Sequence, residues 1–148
     1  MRIDVLTLFP EMFSGYLGQS LLKRAIDAGL VDIQVHNIRD WAQGKHKQVD
    51  DRPFGGGPGM VLRPEPIVDC TEAVQGHGEG PGHLILLTPQ GRQLNQAIVE
   101  KLAAHQRLVM ICGRYEGVDQ RAIDLLRPEM EAPKLASILL TVWMKPTL

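Results

Sequence analysis

His83-Leu84-Ile85-Leu86-Leu87-Thr88-Pro89-Gln90-Gly91 and, further on, Leu108-Val109-Met110-Ile111-Cys112-Gly113-Arg114-Tyr115-Glu116-Gly117 decide how this chain folds. Each is an unbroken apolar run that ends in a glycine-bearing loop. Helical spacing follows both. After the first, a helix is expected from Gln93 to His105 with Leu94, Ala97, Ile98 and Leu102 on one face; after the second, a helix runs to about Leu126. Strands without polar alternation are buried on both faces, and alternation with helices is the mark of a parallel sheet. The expected class is α/β, a parallel sheet with helices on both faces. Ligands of such sheets sit beyond the carboxyl ends of the strands, so the TPQG and GRYEG loops form the leading pocket.

The pattern extends upstream. Ile3 to Leu8 is a short buried strand closed by Phe9-Pro10. Leu17, Leu21, Leu22, Ala25, Ile26 and Leu30 predict one helix from Tyr16 to Leu30, with Gly29 as its stop. Val31 to Ile38 alternates as a half-buried strand does. Arg39 to Gly59 has no usable period and is expected to be a long loop, begun by Trp41 packing on the sheet. Pro64 to Val74 reads as a helix with its prolines in the first turn, and Gln75 to Gly82 as a surface connector. Downstream, Glu129 to Pro133 reads as a break, and Leu135 to Met144 as a lone apolar patch.

Composition narrows the class. A chain of 148 residues with 44% hydrophobic and 22% charged residues fits one globular domain. The net charge of −1 announces no general basic field, so any nucleic-acid contact needs a local patch, for which Arg39, Lys45, Lys47 and Arg52 are available. Cys70 and Cys112 have no metal or redox spacing, and the expectation is reduced, partly buried thiols. Asp4 and Pro10 interrupt any secretory apolar region, and no run reaches the roughly 20 residues that cross a bilayer. A soluble, cytoplasmic chain without a membrane segment is expected. His36, His77, His83 and His105 suggest no metal spacing and are taken as ordinary surface or core histidines.

Three loops carry the chemistry. Val49-Asp50-Asp51-Arg52-Pro53-Phe54-Gly55-Gly56-Gly57-Pro58-Gly59-Met60 lacks the Gly-Lys-Ser/Thr of a phosphate-cradling loop. That disfavours a nucleotide hydrolase. A plain linker would explain its glycines, but carboxylates and an arginine beside them suit a polar ligand. In TPQG, exposed backbone groups suit an adenine edge, although a turn after a strand is the commoner reason for Pro89 and Gly91. In GRYEG, a cation, an aromatic ring and a carboxylate stand at a strand end; Glu116 suits a cationic sulfonium and Tyr115 suits a nucleoside. A helix-capping turn with a solvated glutamate is the plain alternative.

Together with Leu8-Phe9-Pro10-Glu11-Met12-Phe13, these motifs, in this order from Met1 to about Pro128, closely resemble the bacterial tRNA (guanine-37-N1)-methyltransferase family, TrmD type. The resemblance implies a domain of the SPOUT class with a trefoil knot near the carboxyl edge of the sheet. It implies an S-adenosylmethionine pocket lined by Leu87, Thr88, Pro89, Gly91, Gly113, Tyr115 and Gly117, with Glu116 facing the reacting end. Asp50, Arg52, Gly55, Gly56, Gly57 and Gly59 would approach the tRNA, no metal is implied, and the molecule would be a homodimer. The family continues with a segment like IGDYVLSGGE, a linker with a catalytic Asp, and a helical tRNA-gripping domain; residues 129–148 resemble none of these. The expectation is therefore a domain over 1–128 with an incomplete knot, a divergent tail over 129–148, and no C-terminal tRNA-binding domain. The alternative from another class is an inactive α/β fragment that serves only interaction or dimerisation.

Overall fold

The computed structural model describes residues 1–53, 55–78, 80–114 and 117–132. Strand β1 (Arg2–Thr7) leads through helices α1 (Glu11–Leu17) and α2 (Ser20–Asp27) to β2 (Asp32–Asn37). A 3-10 turn at Ile38–Trp41 precedes the short strands β3 (Asp50–Asp51) and β4 (Val61–Leu62). Helix α3 (Pro64–Gly76), strand β5 (His83–Gln93), α4 (Gln96–Ala103), β6 (Arg107–Cys112), α5 (Gln120–Leu126) and β7 (Glu129–Ala132) follow. Five strands form one sheet in the order β2-β1-β6-β5-β7, every neighbouring pair parallel. β3 and β4 make a separate antiparallel hairpin.

The expected layers are present. One face of the sheet puts Leu6, Leu86, Val109 and Ile111 against Ile67, Cys70 and Val74 of α3 and Ala122 of α5. The other puts Ile3, Val5, Ile85, Leu108 and Met110 against Ala25 of α2 and Ile98 and Leu102 of α4. Each fully buried leucine or isoleucine contributes roughly 1.5–3 kcal/mol, so these two clusters supply the main drive to fold. Trp41 packs on the first cluster, as expected.

Several boundaries differ from the sequence reading. The single helix expected over Tyr16 to Leu30 is two, because Gln19 is extended (φ −133°, ψ 157°) between them. The Arg39 to Gly59 loop is partly ordered by the 3-10 turn and by β3. Gln75 belongs to α3, and its side chain clasps the connector: Nε2 donates to the Gly82 carbonyl at 3.0 Å and Oε1 accepts from Gly82 N–H at 2.6 Å. The break expected at Glu129 is instead β7, an edge strand beside β5. Its four residues are too few for periodicity to reveal. The knot region and the Leu135 to Met144 patch fall on residues after Ala132, outside the described ones.

One charged residue lies deep in the sheet. Asp4 is fully buried on β1, with Oδ2 accepting from Arg107 Nε at 2.9 Å and Arg2 Nε at 3.0 Å. His36 Nε2 lies 2.8 Å from Oδ1. Arg107 also donates to the Val74 and Gly80 carbonyls, which ties β6 to the end of α3. Burial pushes the Asp4 pKa up, but hydrogen bonds from Arg2, His36 and Arg107 outweigh it and hold the carboxyl below its ordinary 3.8. A depressed folded pKa gives stability that is complete above the unfolded value and is lost as pH falls through the folded one. Acid titration followed by circular dichroism should therefore show stability falling below about pH 4, with a shallower fall in Asp4→Asn.

Candidate functional site: two strand tips and a glycine hairpin

β5 and β6 are neighbours in register, with Leu87 opposite Cys112. The two glycine-bearing segments after them are thus side by side. A Cβ placed on Gly113 would stand 3.9 Å from the Leu87 carbonyl oxygen and 3.6 Å from Val118 Cγ2. Gly113 thus lies close to the Leu87 carbonyl and the Val118 side chain, and it is exposed.

The TPQG segment is not a turn that leaves the sheet. β5 pairs with β7 through Leu87, opposite Glu131, and again at Arg92, opposite the same Glu131. Thr88, Pro89, Gln90 and Gly91 are looped out between them as a bulge. Thr88 Oγ1 accepts from Gln90 N–H at 3.3 Å within it, and Pro89 and Gln90 are exposed. Gly91 lies on the backbone of β7, where a Cβ would meet Glu131 N and C at 2.5 Å. The helix expected from Gln93 starts at Gln96, because Asn95 caps it by accepting from Ile98 N–H at 3.0 Å.

The glycine hairpin is hung on the GRYEG loop. Leu62 of β4, fully buried, donates its N–H to the Gly117 carbonyl at 2.9 Å, and its carbonyl accepts from Asp119 N–H at 3.0 Å. The hairpin carrying Asp50 and Arg52 is thereby joined to the far side of the GRYEG loop. In its tip Gly55, Gly56, Gly57 and Gly59 have φ of +85°, +89°, +119° and +83°. Side chains are strained at such angles, which explains so dense a run of glycine. Asp50 is half-buried; Arg52, Lys45 and Lys47 are exposed.

Around this line, Arg114 Cζ sits 4.4 Å over the Phe9 ring. Asp119 caps α5 by accepting from Arg121 N–H at 2.9 Å; the Arg121 side chain also binds it and holds its pKa down. The cysteines are free, and burial pushes both thiols up to about 12, which leaves neither a ready nucleophile. Of the expected site residues, Leu87, Thr88, Pro89, Gly91, Gly113 and Gly117 are brought to one edge with the Asp50–Gly59 hairpin beyond them. Tyr115 and Glu116 lie outside the described residues. Sequence reasoning missed the β7 backing of the bulge and the Leu62 bridge. Only the register of the strands reveals them.

The family model described as tRNA (Guanine-1)-methyltransferase TrmD matches residues 1–132. The chain belongs to this family. The match runs through β7, past the Pro128 limit of the sequence reading. Among TrmD-family relatives, a tRNA (guanine-N(1)-)-methyltransferase of Rhodopirellula baltica is 58% identical over 130 residues, covering 87% of this chain and 54% of that protein. One from Dehalococcoides mccartyi is 54% identical over 126 residues, covering 85% and 51%. This chain thus spans about half the length of these curated relatives. The crystal structure of the Aquifex aeolicus tRNA (m1G37) methyltransferase superposes with a TM-score of 0.82 at 35% identity, over 96% of this chain and 66% of that one. Among the described residues no helix is long and apolar enough to cross a membrane.

Proposed function

We propose that these residues form the cofactor-binding part of a cytoplasmic, homodimeric tRNA (guanine-N1)-methyltransferase, which methylates a guanosine next to the anticodon. The single observation that supports this reading is the pairing of Leu87 with Cys112, from which the TPQG bulge and Gly113 start as neighbours. Leu87, Thr88, Pro89, Gly91, Gly113, Tyr115 and Gly117 would hold S-adenosylmethionine. Looped-out backbone with exposed polar groups beside Gly113 fits a nucleoside with an amino-acid tail. When bound, that cofactor supplies a methyl group already activated on a sulfonium.

The chain's own residues then have two tasks. Neutral guanine carries a proton on N1, so a base must accept it and a positive group must steady charge on O6. Glu116 is the carboxylate of the GRYEG motif, and Asp50 stands on the hairpin. Either serves as a weak base beside the aspartate used by the family, which lies in a segment that residues 133–148 do not resemble. Arg52 and the glycines 55–57 and 59 lie where RNA would approach. Cofactor binding with methyl transfer near background is the expected behaviour of these 148 residues.

Calorimetry with S-adenosylmethionine tests the site. Gly113→Val adds bulk beside the Leu87 carbonyl without a strained backbone angle, and it should weaken binding at least about tenfold, roughly 1.4 kcal/mol. A wild-type chain that ignores S-adenosylmethionine sinks the reading. Methyl incorporation into a transcript bearing guanosine, but not adenosine, at the target position would assign Glu116 or Asp50 as a working base.

A further inference from the structure

The Thr88–Gly91 bulge has a neck, and the neck is closed by charge. Leu87 and Arg92 both oppose Glu131, so the four residues between them stand outside a ladder that resumes beyond them at Gln93 opposite Ala132. Arg92 Nη2 binds Glu131 Oε1 and Glu129 Oε1 together. Glu129 is held from the other side by His83 Nε2 at 2.6 Å. Leu94 N–H reaches the Ala132 carbonyl at 3.3 Å and finishes the closure.

Glu131 shows why Arg92 matters. Its side chain is 1% exposed, and Oε2 has no hydrogen-bond partner among the described residues. A buried carboxylate is costly unless a counter-charge compensates it. Without Arg92 the cost is relieved by moving β7 off β5, and that movement opens the neck. The contact of Gly91 with the Glu131 backbone makes the bulge follow.

We propose that Arg92 is a positioning residue for the methyl donor: by binding Glu129 and Glu131 at once it holds the neck shut and the Leu87–Gly91 backbone in its ligand-binding shape. The proposal rests on reading that bulge as part of the cofactor site. Arg92 acts through the backbone, so its loss lowers the fraction of chains with a competent bulge. Apparent affinity falls by that fraction. Both contacts use one guanidinium nitrogen, so a single ammonium can replace them. Arg92→Lys should therefore rescue what Arg92→Leu loses.

The test measures two things on the full chain: amide hydrogen exchange, and calorimetric affinity for S-adenosylhomocysteine. Arg92→Leu should speed exchange at Thr88, Gln90, Gly91 and residues 129–132 and weaken binding roughly tenfold. Arg92→Lys should stay within about twofold of wild type. Glu129→Gln removes the charge from one of the two contacts at a partly exposed position, and it should give a smaller loosening of the same amides if Arg92→Leu fails to fold. Unchanged exchange and affinity in Arg92→Leu, or in Glu129→Gln where it alone folds, overturn the clamp. So does a lysine variant as weak as the leucine one. A wild type that binds no S-adenosylhomocysteine, while the variants still loosen the bulge, overturns the cofactor site instead and leaves the clamp as a device of the fold.

Discussion

Asp4→Ala should lower stability by about 3–5 kcal/mol, the usual cost of breaking a buried ion pair by deleting one partner. The carboxylate is fully buried and answers Arg107, whose side chain is only 9% exposed, as well as Arg2 and His36. Deletion leaves the Arg107 guanidinium inside the protein with the Val74 and Gly80 carbonyls but no counter-charge. A domain of this size has about 5–15 kcal/mol to lose, so the variant should sit close to unfolding. Urea unfolding checks this: the midpoint should fall at constant slope. The exposed Lys23–Asp27 pair of α2 is the control. Lys23→Ala should change stability by less than about 1 kcal/mol, because water and salt already screen it. Equal losses in the two variants would show that burial around Asp4 carries no special weight.

Gly91→Ala should cost about 1–3 kcal/mol in stability, the range for overpacking, and should abolish whatever S-adenosylmethionine binding the wild type has. A Cβ there meets Glu131 N and C at 2.5 Å, and these are backbone atoms of a paired strand. No rotamer change relieves such a contact; β7 or the bulge must shift. Thermal unfolding measures the first effect and calorimetry the second. Gly55→Ala makes a useful contrast. Its φ of +85° strains alanine, but no atom lies within 4 Å of the added Cβ. It should lose stability from backbone strain while cofactor binding survives. Full binding by Gly91→Ala would mean that β7 does not shape the bulge.

The parts of this fold legible in the sequence are those with a period or a punctuation mark. Leu84 to Leu87 and Leu108 to Cys112 announce buried strands, and the structure pairs them. Helix α3 was readable from Pro64 and its apolar spacing. Glu129 to Ala132 was not, because two glutamates in a four-residue strand look like a surface break. The burial of Glu131 is compensated by Arg92, which also holds Glu129 and lies far away in sequence. Asp4 was similarly opaque: a charge in an apolar run interrupts a pattern, and only the alignment of β1 with β6 supplies Arg107 as the reason. At the site, TPQG looked like an exit turn because proline and glycine usually mark one. That the chain resumes its ladder at Arg92 depends on a partner strand that local sequence does not encode.

The position of β1 bears on how the chain comes to be folded. Strand β1 lies inside the sheet, between β2 and β6, with Arg2 opposite Arg107. β2 can join it early, but its other edge stays unsatisfied until β6, far along the sequence, has been made. Contacts so distant along the backbone slow folding, since loop closure must precede any gain from pairing. An apolar strand edge waiting that long invites pairing with other nascent chains. Asp4 places a charge on that edge throughout the wait.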